Sequence, residues 1–498
     1  MVYLVGAGPG DEGLITVKGM ECIKKCDTII YDRLGTYQLL DYVKTGCRKI
    51  YVGKKAGTHY ASQDMINKIL VEEGKKKGIV VRLKGGDPYV FGRGTEEVKA
   101  LTDNDIPYEV IPGITSAISV PEVCGIPVTS RMVSRSFHVI TGHKNTGNGE
   151  KEFDHIYPME GTSIFLMGLT NLPKIMDRLL QKGEDINTPV AVISNGTMPG
   201  QKIVRGTIEN IVSLVNKNNM ESPAIIVVGD NASFNLLSKD RPPIYGANIG
   251  IIGTKKMRCK MKAEIEKYGA KAYSLVDMCI EKTDKEHRLH DIVDNIGNYT
   301  WIAFTSANSV DIFFESLKKW NIDFRKLALI KFAVVGKGTG QALQENGFMA
   351  DYMPDIYTTK AFAMGLCNML TQNDRILVPR AVMGSVEFTD ILCKNNIDYD
   401  EVKLYDVRPV KLESFKFTDK MDVILFASAS GVRGFSNILA DEGIRLAQNT
   451  ILGAIGDVTK AEIQEHGYAC DIIPHNCDIP DFIKAVVDYY EKRGKEND

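Results

Sequence analysis

Val80-Val-Arg-Leu-Lys-Gly-Gly-Asp-Pro-Tyr-Val-Phe-Gly-Arg-Gly94 opens on a β-branched run and breaks into adjacent glycines, an acid and three cations. The run reads as a strand. The glycines read as the turn at its end, where a backbone without side chains lets a ligand approach closely. A carboxylate such as Asp87 suits a sulfonium or α-ammonium group. Arg82, Lys84 and Arg93 suit carboxylates, which arginine grips in bidentate fashion. The competing reading is a solvated basic loop.

Toward the N-terminus, Val2-Tyr-Leu-Val-Gly-Ala-Gly-Pro-Gly-Asp11 repeats the strand-to-glycine pattern, and Asp32 ends the next strand. This resembles a dinucleotide fingerprint, but Asp11 stands where the third glycine would allow close helix packing. Pro9 also removes one N–H from the turn. A phosphate-binding P-loop is excluded because no Gly-Lys-Ser/Thr follows. These residues leave two readings open: a turn against a nucleotide-like cofactor, or a purely structural glycine turn.

From residue 2 to 229, the runs YLVG, TIIY, IVVRL, YEVIP, FHVIT, SIFLMG, PVAVIS and AIIVVG alternate with helical stretches such as Gln63 to Lys77 and Asn171 to Lys182. Alternation of this kind predicts an α/β domain. Ser238-Lys-Asp-Arg-Pro-Pro-Ile-Tyr-Gly246 continues neither helix nor central strand, so the domain boundary is expected there, between 1–240 and 244–490. Beyond it lies a divergent repeat. Trp301-Ile-Ala-Phe-Thr-Ser-Ala-Asn-Ser-Val310 overlays Val423-Ile-Leu-Phe-Ala-Ser-Ala-Ser-Gly-Val432. Val334-Val-Gly-Lys-Gly-Thr-Gly340 with Pro354 overlays Ala454-Ile-Gly-Asp-Val-Thr-Lys460 with Pro474. Each copy reads as strand, Ser/Thr turn, helix, strand, Gly-x-x-Thr turn, helix. Two similar α/β lobes facing a cleft are expected, lobe one from 244–278 plus 412–490 and lobe two from 284–402. Their turns would lie at strand C-termini, where open α/β sheets bind ligands.

Composition sets the outer limits. The 498 residues exceed one ordinary core, and 44% apolar residues, 25% charged residues and a net charge of −2 describe a soluble globular protein. Nucleic acid is an unsuited partner. No basic stretch precedes the first apolar run, and no segment approaches the roughly 20 apolar residues that span a bilayer, so a cytoplasmic protein without membrane contact is expected. The ten cysteines form no CxxC pair and read as reduced thiols rather than disulfides or a zinc site. Cys22 and Cys26, four apart on a helix, read as small core residues.

The first half resembles the uroporphyrinogen-III C-methyltransferase family from Val2 to about Asp230. The matching motifs are GAGPGD (6–11), YDRL (31–34), GKKAGTH (53–59), VVRLKGGDP with FGRG (80–94), PGITSA (112–117), GIPVTSR (125–131), TGH (141–143), LMG (166–168) and NGT (195–197). The resemblance implies a two-lobed tetrapyrrole-methylase fold, S-adenosylmethionine as methyl donor with S-adenosylhomocysteine as product, no metal, and a homodimer through this half. Cofactor contacts would fall on Pro9, Gly85, Gly86, Asp87, Val90, Thr115, Ser116, Met167 and Gly196. Asp32 would take the proton-acceptor position and Lys54 the proton-donor position. Arg33, Arg82, Lys84, Arg93 and Arg131 would hold the substrate's carboxylates. Methylating a pyrrole carbon needs electron density pushed to carbon and a proton later lost, work that a carboxylate and an ammonium can divide. The bland alternatives are that Asp32 caps a turn beside Arg33 and that Lys54 anchors a substrate carboxylate. Two positions depart from the family: Ser130 replaces a usual histidine, and Leu166 a common tyrosine. A role for that histidine is therefore not carried over.

Ile244 to Tyr490 resembles uroporphyrinogen-III synthase through FTSANSV (304–310), VGKGT (335–339), ILVPR (376–380), KLYDV (403–407), FASASGV (426–432) and IGDVT (455–459). That family closes linear hydroxymethylbilane with loss of water and inversion of the last ring, without a cofactor. Holding a flexible polycarboxylate in one fold is most of the task. Ser306, Thr339, Ser428 and Thr459 would bind acetate and propionate arms from turns that open helices, or serve only as caps. Tyr405 aligns with the family's cleft tyrosine, and a phenol there can donate to the departing hydroxyl; otherwise it packs. The combined expectation is a bifunctional enzyme that makes uroporphyrinogen III and methylates it twice to precorrin-2, toward sirohaem or cobalamin. The rival is a methyltransferase of a later corrin intermediate with a second half that only binds tetrapyrroles.

Overall fold

The alternating runs fold into three sheets in a computed structural model that describes residues 1–32, 37–44, 46–53, 62–142, 155–283 and 286–497. The chain divides into two compact units, Met1–Pro242 and Pro243–Asp498. In the first unit, β1 (Val2–Gly6), β2 (Thr28–Tyr31), β3 (Arg48–Tyr51), β4 (Val80–Lys84) and β5 (Tyr108–Ile111) form an all-parallel sheet in the order β3-β2-β4-β1-β5. The register aligns Val5 with Leu83 and Ile111, and Leu83 with Tyr31, so β1, β2, β4 and β5 end level and their turns share one edge. Such an edge is where parallel sheets collect ligand-binding loops. Thr16 starts the first crossover helix, Val17–Lys25, by accepting the Gly19 N–H at 3.2 Å. Asp11, in the position a third glycine would take, instead caps the short helix Glu12–Leu14 through the Gly13 N–H at 2.9 Å.

The unit's second sheet contains β6 (Phe137–Thr141), β7 (Thr162–Leu166), β8 (Pro189–Ser194), β9 (Lys202–Thr207) and β10 (Ala224–Val228), in the order β6-β7-β10-β8-β9. Only β6 and β7 pair in parallel; the remaining pairs are antiparallel. The helix Leu172–Gln181 packs on this sheet by burying Leu172, Ile175, Met176 and Leu179, one stripe at helical spacing. β3 and β9 are edge strands that carry charges, Arg48 and Lys49 on β3 and Lys202 and Arg205 on β9, so neither shows as an apolar run.

The second unit is built on one eight-stranded sheet. Its strands are β11 (Asn248–Gly253), β12 (Lys271–Lys282), β13 (Trp301–Phe304), β14 (Lys331–Val334), β15 (Arg375–Ala381), β16 (Asp398–Lys411), β17 (Val423–Phe426) and β18 (Ile451–Ala454), in the order β14-β13-β15-β16-β12-β11-β17-β18. Each flank is parallel, and the two are joined where β12 and β16 run antiparallel from Val276 opposite Lys411 to Lys282 opposite Tyr405. The internal repeat is visible in three dimensions. β13 and β17 lead into helices Ala307–Lys319 and Ala429–Glu442, capped by Ser306 and Ser428. β14 and β18 lead into helices Lys337–Glu345 and Asp457–Glu465, preceded by extended Gly336 and Gly456. One further correspondence lies outside the overlaid motifs: Asp351 accepts the Phe332 N–H at 2.7 Å, and Asp471 accepts the Leu452 N–H at 2.9 Å.

Candidate active site

Gly6, Gly86 and Gly113 meet backbone to backbone at the level end of the first sheet. Gly8 and Gly86 exchange hydrogen bonds, Gly8 N–H to Gly86 O at 3.2 Å and Gly86 N–H to Gly8 O at 2.7 Å. A Cβ on Gly113 would stand 2.2 Å from the Gly86 carbonyl oxygen, and one on Gly6 would stand 2.4 Å from the Gly113 Cα, so no side chain fits at either position. Gly86 itself, at φ +65°, faces open space: its nearest neighbour would be the Ser116 nitrogen at 4.0 Å. That is a place where a flat or chain-like ligand can lie against backbone.

Asp87 ties this turn to the next. Its Oδ1 accepts the Tyr89 N–H at 2.8 Å and its Oδ2 the Gly113 N–H at 3.0 Å. A carboxylate retains acceptor capacity beyond two such bonds. Thr115 caps the helix Ser116–Val123 by accepting the Ala117 N–H at 3.3 Å.

The second sheet's strand ends close on the same helix. A Cβ on Gly196 would stand 2.2 Å from Val120 Cγ1, and the Asp11 N–H donates to Thr197 Oγ1 at 3.1 Å. Met167, Asn195 and Thr197 hold φ of +57°, +50° and +66°, strain that non-glycine residues carry where the surroundings over-determine a site. The open space at Gly86 is thus a recess beside Ser116, with Asp87 and Thr115 on the adjoining turns and Gly196 packed on the same helix at Val120; Pro9 and Gly85 are the chain neighbours of Gly8 and Gly86. Met167 projects from the end of β7 with 45% of its surface exposed, and Val90 is half-buried on the loop after Asp87.

Behind the recess lies a buried charge cluster. Arg82 Nε donates to Glu97 Oε1 at 3.1 Å, its NH1 to Leu83 O at 2.8 Å and its NH2 to Asp32 Oδ2 at 3.1 Å; Lys84 Nζ donates to Glu97 Oε1 at 2.9 Å. Arg82 is 3% exposed and Glu97 fully buried. Burial works against the Arg82 charge, yet the Glu97 and Asp32 carboxylates hold it above its ordinary range. Burial, then the neighbouring Arg82 charge, pushes the Lys84 ammonium down. The expectation that Arg82 and Lys84 grip substrate carboxylates is corrected: both are inside and committed to Glu97. The cations at the surface are Arg93, paired with Glu96 at 2.7 Å, and Arg131, which lines an open cavity of about 460 Å³ with Met132, Ser134 and Arg135. Arg33 and Lys54 lie outside the described residues. Sequence reasoning passed over Glu97, although its spacing from Gly94 and Leu101 puts it on the buried face of the helix Gly94–Thr102.

In the second unit Tyr405 is buried, with its hydroxyl 2.8 Å from Ser306 Oγ. Burial pushes the phenol up, against hydrogen bonds from Ser306 and Asn308. Ser306 Oγ also accepts the Ser309 N–H at 3.1 Å, so the cap and the tyrosine share one hydroxyl. Ser428 caps its helix through the Gly431 N–H at 3.2 Å and lies 3.1 Å from Ser430 Oγ. Thr339 and Thr459 are buried inside the first turns of their helices, where Gly336 and Gly456 take the cap positions; the expectation that these threonines open the turns is corrected accordingly.

A parallel sheet with glycine turns at its level edge, closed by a mixed-sheet lobe and followed by a unit of repeated βα pairs, defines a two-unit α/β enzyme. The model of the tetrapyrrole (corrin/porphyrin) methylases matches residues 1–212, and that of uroporphyrinogen-III synthase HemD matches residues 260–484. The porphyrin biosynthesis protein HemD of Ruminiclostridium josui is 36% identical over 453 residues, covering 88% of this chain and 89% of that protein. The uroporphyrinogen-III C-methyltransferase of Methanocaldococcus jannaschii is 52% identical over 230 residues, covering 46% of this chain and 95% of that protein. The S-adenosyl-L-methionine-dependent uroporphyrinogen III methyltransferase of Methanosarcina barkeri is 45% identical over 231 residues, covering 46% and 91%. The chain belongs to the HemD family of porphyrin-biosynthesis proteins, with a tetrapyrrole-methylase half followed by a uroporphyrinogen-III-synthase half.

Proposed function

We propose that this chain cyclises hydroxymethylbilane to uroporphyrinogen III in its second unit and methylates that product twice in its first, giving precorrin-2 for sirohaem or cobalamin. The observation that carries the reading is the Gly8–Gly86 exchange of hydrogen bonds, which joins the two glycine turns at the ends of β1 and β4. A relative of the first half is named for methylating uroporphyrinogen III and the family of the second half for making it, which supports reading one unit's product as the other's substrate. S-adenosylmethionine supplies the methyl group on a sulfonium that leaves as a neutral thioether. The open backbone at Gly86, the Asp87 carboxylate and the turns at Thr115 and Gly196 are the groups suited to hold it. Asp32 accepts the proton that the ring system loses after methylation, and Lys54 serves as donor. In the second unit the Tyr405 phenol, which burial pushes further up, donates to the departing hydroxyl, while cap hydroxyls and helix N–H groups hold the acid arms.

Arg93 and Arg131 are the first unit's surface grips for carboxylates, and the enzyme works as a cytoplasmic homodimer through that unit. No helix among the described residues is long and apolar enough to cross a membrane. The test is a coupled incubation of hydroxymethylbilane with labelled S-adenosylmethionine. Two methyl groups per type III macrocycle are expected. Unlabelled tetrapyrrole overturns the first assignment, and type I porphyrin alone overturns the second.

A further inference from the structure

Glu97 belongs to the buried cluster beside Asp32, yet the reaction as described gives it no part. It stands in the first turn of the helix Gly94–Thr102. A single oxygen, Oε1, takes both the Arg82 Nε and the Lys84 Nζ, while Oε2 is buried and meets no hydrogen-bond donor among the described residues. A buried carboxylate left half-satisfied is unfavourable, and apolar packing would serve the fold better, so such a group asks for another explanation. Geometry supplies one. The guanidinium is planar; once Nε is fixed on Glu97 and NH1 on the Leu83 carbonyl, NH2 has one direction left, and it points at Asp32 Oδ2. Arg82 and Lys84 on β4 both reach Glu97 on the helix, and Arg82 also reaches Asp32 at the end of β2.

We propose that Glu97 is the positioning residue of the methyltransferase site: one of its carboxylate oxygens locks Arg82 through Nε, so that the NH2 of the same guanidinium is aimed at Asp32. The inference rests on the reading of the first unit as a methyltransferase with Asp32 as acceptor. Glu97 acts through Arg82 and touches no reactant.

The test is Glu97→Gln in the full chain, which keeps the shape and removes the charge. S-adenosylhomocysteine affinity, measured by calorimetry, is expected to stay as it is, and KM for S-adenosylmethionine likewise. The kcat for methylation of uroporphyrinogen III falls on the order of tenfold to a hundredfold, the scale of a misaimed reacting group. The double variant Lys84→Met with Glu97→Gln removes one cation together with the anion, leaves Arg82 Nε equally unanchored and is expected to keep the lowered kcat. If the single variant does not fold, the double variant carries the test through kcat. A folded variant with the native kcat overturns the proposal and leaves the methyltransferase reading intact. Failure of the native chain to methylate uroporphyrinogen III overturns that reading instead.

Discussion

Asp87 does two jobs that sequence alone assigns to one. Its charge suits a cationic cofactor group, and its two oxygens hold Tyr89 and Gly113 in place. Asp87→Ala strips two backbone N–H groups of their acceptor, at about 1–3 kcal/mol each if they stay dry, and frees the turn after β5 to drift from Gly86. Cofactor affinity is expected to fall by about tenfold or more, the equivalent of roughly 1.4 kcal/mol or more, in calorimetry with S-adenosylhomocysteine; an unchanged affinity removes Asp87 from the site. Gly113→Ala should reach the same end by another route, since its Cβ would collide with the Gly86 carbonyl and force the Gly8–Gly86 pair apart. Much of this site was legible in the residues, because glycines at strand ends and a lone acid among them leave few physical readings. Glu97 was not. Side by side, Glu96 and Glu97 look alike, and only the phase of the helix against β4 sends Glu96 to Arg93 in solvent and Glu97 to Arg82 inside. The same phase explains the misreading of Arg82 and Lys84, whose charges in a sequence advertise a ligand when their partner acid is out of sight.

At the scale of elements, the repeat makes a comparison that a single lobe would not allow. Ser306 and Ser428 follow β13 and β17 at matching points, share an extended backbone and cap matching helices. Replacing either by alanine should cost about 1 kcal/mol of stability. Ser306 alone of the two is hydrogen-bonded to Tyr405. Ser306→Ala is therefore expected to lower the yield of type III isomer from hydroxymethylbilane more than Ser428→Ala does at a similar loss of melting temperature, because it removes the partner of Tyr405 as well as a cap hydroxyl. Equal losses of activity in the two variants would assign Ser306 to capping alone. The strand, turn and helix order of each copy was readable from the overlaid motifs because caps and glycine turns leave local signatures. The antiparallel meeting of β12 and β16 was not, since partner choice between long amphipathic strands is decided by tertiary packing. β3 and β9 escaped for a related reason: an edge strand needs only one paired side and can keep its charges.

At the scale of the molecule, two activities in one chain raise the question of whether either unit needs the other to fold. The apolar cores give an answer. Clusters around Ile29 and Leu83, Leu4 and Val80, Val120 and Ile193, and Phe165 and Ile175 draw on residues before Pro242. Those around Phe313 and Phe332, Phe362 and Phe388, Phe426 and Phe435, and Ile249 and Phe482 draw on residues after it. Among the described residues no cluster mixes the two sides, and each unit is near 250 residues, a size at which one chain segment buries enough surface to stand alone. Cutting the chain between Pro242 and Pro243 is therefore expected to yield two fragments that each unfold cooperatively. The first should methylate uroporphyrinogen III supplied to it, and the second should form the type III isomer from hydroxymethylbilane. Calorimetric melting of each fragment, followed by its own assay, checks this. A fragment that melts without a cooperative transition, or one that recovers its activity only when the other is added, would show that folding of one half depends on the other.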